Sequence, residues 1–244
     1  MSYDIKNKVA LVTGANRGIG KTIVEAFIKE GASKVYAAVR KLDSAKELIE
    51  KHGEKVVAIE VDLSKPETIA SAAQNAQDVE ILINNAGVLT TVNLLSDEAI
   101  KTLDFEFDVN LYGLVRIAQA FAPVLKKNGG GALVQLNSIV SLKAYSDIAI
   151  YSASKAASYS ITQSLRGLLK EQNTHVLSVH PGPIATDMAA SAGISDIAES
   201  ATLVADGIID SLKTGDFHLF PGSIAKNLGE AYASFAQNAI EATE

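Results

Sequence analysis

The chain has 244 residues, no cysteine, 22 lysines and arginines against 28 acidic residues, and a formal net charge of -6. The length fits one α/β domain of ordinary size, and the missing cysteines exclude disulfides, thiolate zinc sites and thiol catalysis. No basic run points to a nucleic acid or a membrane surface as partner, and no apolar run reaches the roughly 18 residues of a membrane span. No secretory signal is visible at the polar N-terminus, so a cytoplasmic location is the default expectation.

Apolar, β-rich runs alternate with helical stretches along the chain. This alternation predicts right-handed crossovers and an α/β fold, a doubly wound parallel sheet of about seven strands with helices on both faces. No linker or repeat is visible, so residues 1–244 are predicted to form a single domain. The predicted strands are Val9–Thr13, Lys34–Val39, Val56–Val61, Ile81–Asn84, Ala132–Asn137, His175–His180 and an edge strand at Phe217–Phe220. The predicted helices are Lys21–Lys29, Ser44–His52, Pro66–Ala76, Ile150–Gln172 and Ala201–Leu212, with a long helical region at Asp97–Leu125.

A glycine-rich turn joins the first predicted strand to the first predicted helix. Glycine permits a tight turn in which backbone N–H groups approach a pyrophosphate closely, and the helix N-terminus adds a favourable dipole. Any strand–helix turn favours glycine, but an apolar strand before it and a helix after it form the context that a dinucleotide site requires. The turn reads Thr13-Gly14-Ala15-Asn16-Arg17-Gly18-Ile19-Gly20, a spacing different from G-x-G-x-x-G.

The end of the second predicted strand favours NADP(H) over NAD. An acidic residue there would bind the ribose 2′-hydroxyl of NAD, but the strand ends in Val39-Arg40. A guanidinium binds a 2′-phosphate in bidentate fashion, and Arg17 in the glycine turn is placed to reach the same phosphate. The plain alternative is that Arg40 is a solvated residue at a strand end.

Tyr151 and Lys155 form the strongest chemical signal. Four residues apart on a predicted helix, they project from one face. A phenol has a pKa near 10, and a nearby ammonium should lower it, so that the phenol exchanges a proton with a substrate oxygen. Taken alone, the pair is more typical of an amphipathic tyrosine beside a lysine whose ammonium extends to solvent.

Two further polar residues and one segment are predicted to lie near this pair. Ser138 follows the fifth strand, where its hydroxyl would hydrogen-bond a reacting oxygen. Asn110 lies inside a predicted helix that asparagine disfavours, which indicates a local break or a polar role such as holding a water near Lys155. Asn84-Asn85-Ala86-Gly87 closes the fourth strand, at the edge where open α/β sheets bind ligands, although a plain turn explains it equally well.

In order and spacing, these motifs resemble the short-chain dehydrogenase/reductase (SDR) family, and within it the NADP(H)-preferring carbonyl reductases. The resemblance runs from about Lys8 to Met188 and implies a Rossmann-type domain with the catalytic tetrad Asn110, Ser138, Tyr151 and Lys155. It implies that Asp62 contacts the adenine, although a turn or N-cap role before Pro66 would also explain that residue. The cofactor contacts expected in this chain are Gly14, Asn16, Arg17, Gly18, Ile19, Gly20, Arg40, Asp62, Leu63, Asn85, Ala86, Gly87, Tyr151, Lys155, Pro181, Gly182, Ile184 and Thr186.

The implied activity is reversible hydride transfer between NADP(H) and a ketone, an aldehyde or a secondary alcohol, with Tyr151 as acid and base. Lys155 would lower the phenol pKa and hold the ribose hydroxyls, Asn110 would support a water path, and no metal is needed. Residues 184–200 are predicted to be a flexible substrate lid, and residues 217–244 a C-terminal extension. The expected small-molecule substrate is apolar, because the predicted pocket wall consists of Ile139, Val140, Leu142, Tyr145, Ile184 and the lid segment Met188–Ile194.

Other functions remain open at this stage. A 3-oxoacyl-carrier-protein ketoreductase is disfavoured because the positions that would carry its docking arginines are Gly129 and Gln172, and Lys126 and Lys127 would replace them only weakly. The intact tetrad argues against a non-catalytic NADP-binding regulatory protein. An epimerase or dehydratase of the extended branch would need a longer chain after Pro183.

Assembly is predicted from the two long helices, near Asn110 and after Tyr151. Both are rich in Ala, Leu and Ile, and could pair between subunits about a two-fold axis as a homodimer or homotetramer. A second apolar stripe, Leu228, Tyr232, Phe235 and Ala239, repeats at helical spacing in the C-terminal extension. Packing of this stripe on the subunit's own core is at least as good an interpretation.

Overall fold

Seven short apolar runs form the strands of one parallel sheet in the computed structural model, which describes residues 3–241. Aliphatic residues dominate these runs because a parallel sheet is buried on both faces. The spatial order is β3-β2-β1-β4-β5-β6-β7, and every neighbouring pair is parallel, so the predicted doubly wound sheet is confirmed. The strands are β1 (Val9–Thr13), β2 (Lys34–Val39), β3 (Val56–Glu60), β4 (Ile81–Asn84), β5 (Ala132–Leu136), β6 (His175–Val179) and β7 (His218–Leu219).

Helices cover both faces of the sheet, and the alternation of side chains along each strand feeds two separate cores. On β1, Ala10 and Val12 pack into one core with Phe27, whereas Leu11 packs into the other core with Phe121. The helices are α1 (Gly18–Lys29), α2 (Lys46–His52), α3 (Pro66–Asn75), α4 (Ala99–Phe107), α5 (Gly113–Lys127), α6 (Ala149–Lys170), α7 (Asp187–Ser191), α8 (Thr202–Thr214) and α9 (Ser223–Phe235).

Several predicted boundaries differ from the structure. Helix α1 begins three residues before the predicted Lys21, because the glycine turn itself enters the helix directly after Arg17. The predicted helical region Asp97–Leu125 consists of α4 and α5 joined by a π-helical turn at Asp108–Tyr112, which places the expected break at Asn110. Three strands end one residue earlier than predicted, because Val61, Asn137 and His180 leave the ladder at the carboxyl edge.

The predicted lid contains regular structure. Thr186 caps the short helix α7 by accepting a hydrogen bond from the Ala189 N–H (3.4 Å), and a 3₁₀ turn follows at Ser195–Ile197. Its two ends are joined by hydrogen bonds from the Ala185 N–H to the Glu199 carbonyl (2.8 Å) and from the Glu199 N–H to Pro183 (2.9 Å). The flexibility of residues 184–200 stays a prediction.

The strand order reverses direction between β1 and β4. In open α/β sheets, ligands bind outside the carboxyl ends of the strands at this switch point. The glycine turn follows β1 and the segment Asn84-Asn85-Ala86-Gly87 ends β4, so both motifs meet there. Helix α9 confirms the predicted helical stripe at Leu228, Tyr232 and Phe235, and residues 242–244 of the predicted extension lie outside the described residues. No helix within residues 3–241 is long and apolar enough to cross a membrane.

Candidate active site

The glycine turn is pressed against the Asn-Asn-Ala-Gly segment. Gly14 and Gly18 have φ angles of 64° and 52°, a left-handed conformation that glycine adopts without strain. A Cβ on Gly20 would lie 2.3 Å from the Gly14 carbonyl oxygen and 2.6 Å from the Asn85 amide nitrogen, so no side chain fits there. Asn85 donates a hydrogen bond to the Thr13 carbonyl (2.8 Å), which fixes the two motifs to each other.

From the glycine turn, a chain of buried hydrogen bonds crosses the carboxyl edge of the sheet. The Thr13 hydroxyl accepts from the Asn85 and Ala86 N–H groups (both 2.9 Å) and donates to Asn84 (3.2 Å). Asn84 donates to the side-chain amide oxygen of Gln135 on the neighbouring strand (2.7 Å). We call the set of connected side chains the edge network; its members are Thr13, Asn84, Gln135, Asn137, Ser141, Ser158, Ser178 and His180.

The second half of the edge network reaches the backbone of Ser138. Asn137 accepts from Ser158 (2.9 Å) and donates to Ser178 (2.9 Å), whose hydroxyl lies 2.8 Å from His180 Nε2. His180 Nδ1 lies 2.9 Å from the Ser141 hydroxyl, which donates to the Ser138 carbonyl (2.5 Å). Because that hydroxyl proton is already used, His180 must donate from Nδ1 and accept at Nε2. Burial lowers the pKa of His180 to about 3, so the imidazole is neutral.

Ser138, Tyr151 and Lys155 come together beside this edge. Tyr151 is buried, and the Ser138 side chain is close enough to lower the pKa of its phenol. The Lys155 ammonium lies 5.7 Å from the Tyr151 ring centroid and donates to the Leu136 carbonyl at the end of β5 (2.7 Å). A Cβ on Gly87 would lie 3.5 Å from the same ammonium, an ordinary contact distance. Lys155 therefore lies between the end of β5 and the segment that follows β4.

The expected lowering of the Tyr151 pKa is wrong for this structure. Burial raises the pKa of the phenol well above its usual value, the charge of Glu106 raises it further, and the hydrogen bond with Ser138 only partly offsets this. Burial also lowers the pKa of Lys155, to about 8, against the attraction of Glu106. Loss of hydration is therefore the largest cause of both pKa shifts.

Asn110 joins the loop after β4 to helix α6. Its side chain accepts from the Val88 N–H (2.9 Å) and donates to the Val88 carbonyl (2.9 Å) and to Ser154 on α6 (2.9 Å). Both amide protons are thus engaged, so the side chain could meet a water only as an acceptor. The role of Asn110 in a water path stays a prediction.

Sequence reasoning missed Glu106, which lies one helical turn before Asn110. Its side chain is fully buried, and Oε1 accepts a hydrogen bond from the Thr90 N–H (2.6 Å). Burial raises the pKa of this carboxyl to about 7, although the hydrogen bonds from Thr90 and the charge of Lys155 oppose the shift. The available signal was an acidic residue four positions before Asn110, on the same helix face.

Sequence reasoning did not predict that α9 packs beside Tyr151. Ala225 is buried in one apolar cluster with Ile139, Val140 and Tyr151, and Leu228 packs against it. Leu142 belongs to the neighbouring core, Tyr145 is 41% exposed, and Ile184 is buried, so the predicted wall residues are divided between several environments. The wall beside Tyr151 is therefore apolar and partly supplied by the C-terminal segment.

A family model described as short chain dehydrogenase matches residues 8–195. The chain belongs to the short-chain dehydrogenase family. Its members are oxidoreductases that use a nicotinamide cofactor, so this short-chain dehydrogenase is an oxidoreductase of that kind. A probable galactose dehydrogenase of Rhizobium meliloti is 33% identical over 191 residues, which cover 75% of this chain and 74% of the relative.

Solved structures agree with the family assignment. A short chain dehydrogenase from Burkholderia cenocepacia, in complex with NADP, is 34% identical, with a TM-score of 0.88 and 96% of both chains covered. L-sorbose reductase from Gluconobacter frateurii, complexed with NADPH and L-sorbose, is 25% identical, with a TM-score of 0.80 and coverage of 93% of this chain and 99% of that one. The Rossmann-type fold of this short-chain dehydrogenase is therefore confirmed.

The remaining predicted cofactor residues differ in exposure and in hydrogen-bond partners. Arg17 is exposed and pairs with Asp187 of α7 (2.6 Å), rather than standing unpaired at the turn, and Arg40 is exposed at the end of β2. Asp62 accepts from the Ser64 N–H (3.1 Å) and hydroxyl (2.7 Å), which is the turn role considered as its alternative. Among the other predicted contacts, Leu63 and Ile184 are buried, and Asn16 and Ile19 are half-buried. The Pro181 carbonyl accepts a hydrogen bond from the Ile139 N–H (3.1 Å). Gly182 lies beside α9, and Thr186 lies next to Gly18.

Proposed function

We propose that this short-chain dehydrogenase is an NADP(H)-dependent carbonyl reductase that interconverts an apolar ketone or aldehyde and its alcohol. The observation that carries the proposal is the buried Tyr151 phenol, whose pKa the Ser138 side chain lowers and whose ring centroid lies 5.7 Å from the Lys155 ammonium, at the carboxyl edge of the sheet. Within residues 3–241 no cluster of His, Asp or Glu side chains is placed to hold a metal ion. We therefore propose that the hydroxyls of Tyr151 and Ser138 polarise the substrate carbonyl by donating hydrogen bonds to its oxygen.

The residues present fit a dinucleotide. The glycine turn, in which Gly20 has no room for a side chain, offers backbone N–H groups at the start of α1, and Gly87 lies next to the Lys155 ammonium. Lys155 and the backbone after β4 would hold the nicotinamide ribose, and Ile184 and Thr186 the carboxamide. When bound, NADPH supplies the hydride.

Tyr151 is the proposed proton donor. Because burial raises its pKa, the phenol is fully protonated near pH 7 and holds a proton for the substrate oxygen. Ser138 donates a hydrogen bond to the same oxygen. The Lys155 ammonium, largely protonated near pH 7 at a pKa of about 8, stabilises the phenolate that remains after the proton has left. In alcohol oxidation the Tyr151 phenolate takes the proton from the alcohol and becomes the phenol again.

The preference for NADP(H) is proposed from charge at the end of β2. Arg40 stands where an acidic residue would bind the ribose of NAD, and Arg17 lies at the start of α1. We expect R40A to weaken NADPH binding about tenfold and to leave NADH binding within about twofold of wild type. Dissociation constants from nicotinamide fluorescence measure both. Equal losses for the two cofactors would contradict a phosphate contact.

A substrate panel tests the activity itself. Aromatic and aliphatic ketones and aldehydes, a sugar ketone and a short 3-oxoacyl thioester are each offered with NADPH and with NADH, and cofactor oxidation is followed at 340 nm. Turnover of apolar carbonyls with NADPH supports the proposal. Turnover of the thioester alone would favour the carrier-protein ketoreductase, and cofactor binding without any turnover would favour a regulatory protein.

The proposed homodimer or homotetramer rests on exposed apolar side chains. Phe105, Tyr112 and Leu168 are 49%, 52% and 74% exposed on α4, the π-helical turn and α6. These are the two long helical regions predicted to pair between subunits, and a shared interface would cover such side chains. Light scattering coupled to size exclusion gives the mass, and a monomer at micromolar concentration would refute the assembly.

A further inference from the structure

Glu106 is a buried acid with no role in the mechanism above. It lies on α4, one helical turn before Asn110, and its side chain is 0% exposed. Oε1 accepts from the Thr90 N–H (2.6 Å), in the loop after β4, while Oε2 has no hydrogen-bond partner within residues 3–241. Asn110 binds Val88 of the same loop, so two successive helical turns hold the backbone that follows Gly87.

The charge of Glu106 requires an explanation beyond this loop contact. A glutamine oxygen would accept the same hydrogen bond from Thr90 without the cost of removing a carboxylate from water. An amide would suffice for this contact, yet the residue is a carboxylic acid and one of its oxygens has no partner. This indicates a role for the proton or the charge itself.

The titratable groups around Glu106 belong to the proposed site. Tyr151 and Lys155 face it from α6, and both respond to its charge. His180 at the end of β6 faces Lys155 and stays neutral, because burial lowers its pKa to about 3. From the loop after β4, only the neutral Thr90 contributes to the environment of Glu106. The carboxyl therefore acts mainly on the tyrosine–lysine pair.

We propose that Glu106 is a positioning residue that holds the loop after β4 through Thr90 and, through its charge, controls the protonation of Tyr151 and Lys155. This inference rests on the proposed function, because the pair is the proposed acid and base. Ionised Glu106 attracts the Lys155 ammonium and repels a Tyr151 phenolate, so it keeps protons on both groups. Protonation of Glu106 releases both groups to titrate at lower pH.

The substitution Glu106→Gln separates the two roles, since it keeps the acceptor for Thr90 and removes the charge. We expect the alkaline limb of the kcat/KM profile for carbonyl reduction to move to lower pH by about half to one pH unit, because removal of the negative charge lowers the pKa of both Tyr151 and Lys155. The acid limb for alcohol oxidation should move in the same direction. Glu106→Asp should keep both limbs at their wild-type positions, even if its rate falls.

Asp108→Asn is the matched control. It removes an acidic charge two residues away, from a side chain that pairs with Arg116 (2.8 Å) rather than facing Tyr151. Its limbs should coincide with those of wild type. Uniformly slower E106Q turnover with unmoved limbs would show that Glu106 only supports the loop, and would overturn the proposal.

A titration without turnover keeps this test independent of the proposed function. Carbon-13 NMR of glutamate carboxyls should show one group that titrates near pH 7 in the free protein and is missing from E106Q or E106D. Lys155→Met should raise its midpoint, because the ammonium that favours the carboxylate is gone. An unmoved midpoint overturns the coupling. If the Glu106 midpoint moves but the protein reduces no carbonyl of the panel, the coupling between Glu106 and Lys155 would be supported and only the proposed function would be refuted.

Discussion

Two groups of buried polar residues lie side by side at the carboxyl edge of the sheet, and they differ in charge and in hydrogen bonding. The edge network is neutral, and none of its buried side-chain polar atoms lacks a hydrogen-bond partner. The second group, Glu106, Tyr151 and Lys155, which we call the acid–base cluster, contains ionisable side chains with few partners. Paired neutral groups give rigid support, whereas buried ionisable groups have shifted pKa values and can exchange protons. Support and chemistry are thus assigned to different residues.

The largest effect should come from removing the phenol of the acid–base cluster. We expect Y151F to lower kcat/KM for carbonyl reduction by about 10²–10⁴-fold, because a positioned proton donor contributes a factor of that size. Y159F is the matched control, since Tyr159 is also buried on α6 but bonds to His218 (2.7 Å). Near-normal reduction by Y151F would remove Tyr151 from the mechanism.

Breaking the edge network should cost stability. Asn137 makes buried hydrogen bonds with Ser158 and Ser178, and the substitution N137A removes this partner from both serine hydroxyls. We expect the free energy of unfolding in urea to fall by about 2–3 kcal/mol. Asn75, whose amide bonds only within exposed α3, provides the control N75A, with a change of about 0.5 kcal/mol or less. An N137A loss as small as that of N75A would mean that the network is not structural.

The neutral state of His180 predicts a pH dependence of stability. Its folded pKa, about 3, lies below the unfolded value, so its contribution is complete above about pH 6.5 and is lost as the pH falls toward 3. Between pH 6.5 and 4 we expect a loss of about 1–3 kcal/mol, and a smaller loss in H180N. Part of the slope should survive in H180N, because burial also lowers the pKa of His175, to about 4. Parallel plots of unfolding free energy against pH for wild type and H180N would contradict a neutral, buried His180.

The smallest effect concerns a charge outside both groups. Arg17 pairs with Asp187, and both side chains are more than 60% exposed, so the ion pair is weak. D187N should free Arg17 for the cofactor phosphate and tighten NADPH binding by about twofold. Unchanged unfolding in urea is the control. Weaker NADPH binding in D187N would show that the pair organises the site instead of competing for Arg17.

Patterns spaced along the chain predicted the fold and the proposed tetrad, because hydrophobic period and motif order are local properties. Strand–helix alternation gave the sheet, and the unfavourable Asn110 indicated the π-helical turn. Glu106 was missed because burial of a single acid depends on what packs over its helix. The Tyr151 pKa was predicted with the wrong sign because spacing shows the lysine neighbour but not the loss of water. The pairing of Arg17 with Asp187 joins residues far apart in sequence, which no local pattern encodes.

Helix α9 has a consequence for how such chains diverge. The family model ends at residue 195, yet α9 comes later and still packs on the wall beside Tyr151. Gly229 is what allows this close approach, since a Cβ there would lie 2.6 Å from the Phe220 ring. Substitutions in this last segment can change the apolar surroundings of Tyr151 while the proposed catalytic residues stay in place. Substrate selectivity could therefore evolve in the C-terminal segment independently of the proposed acid and base.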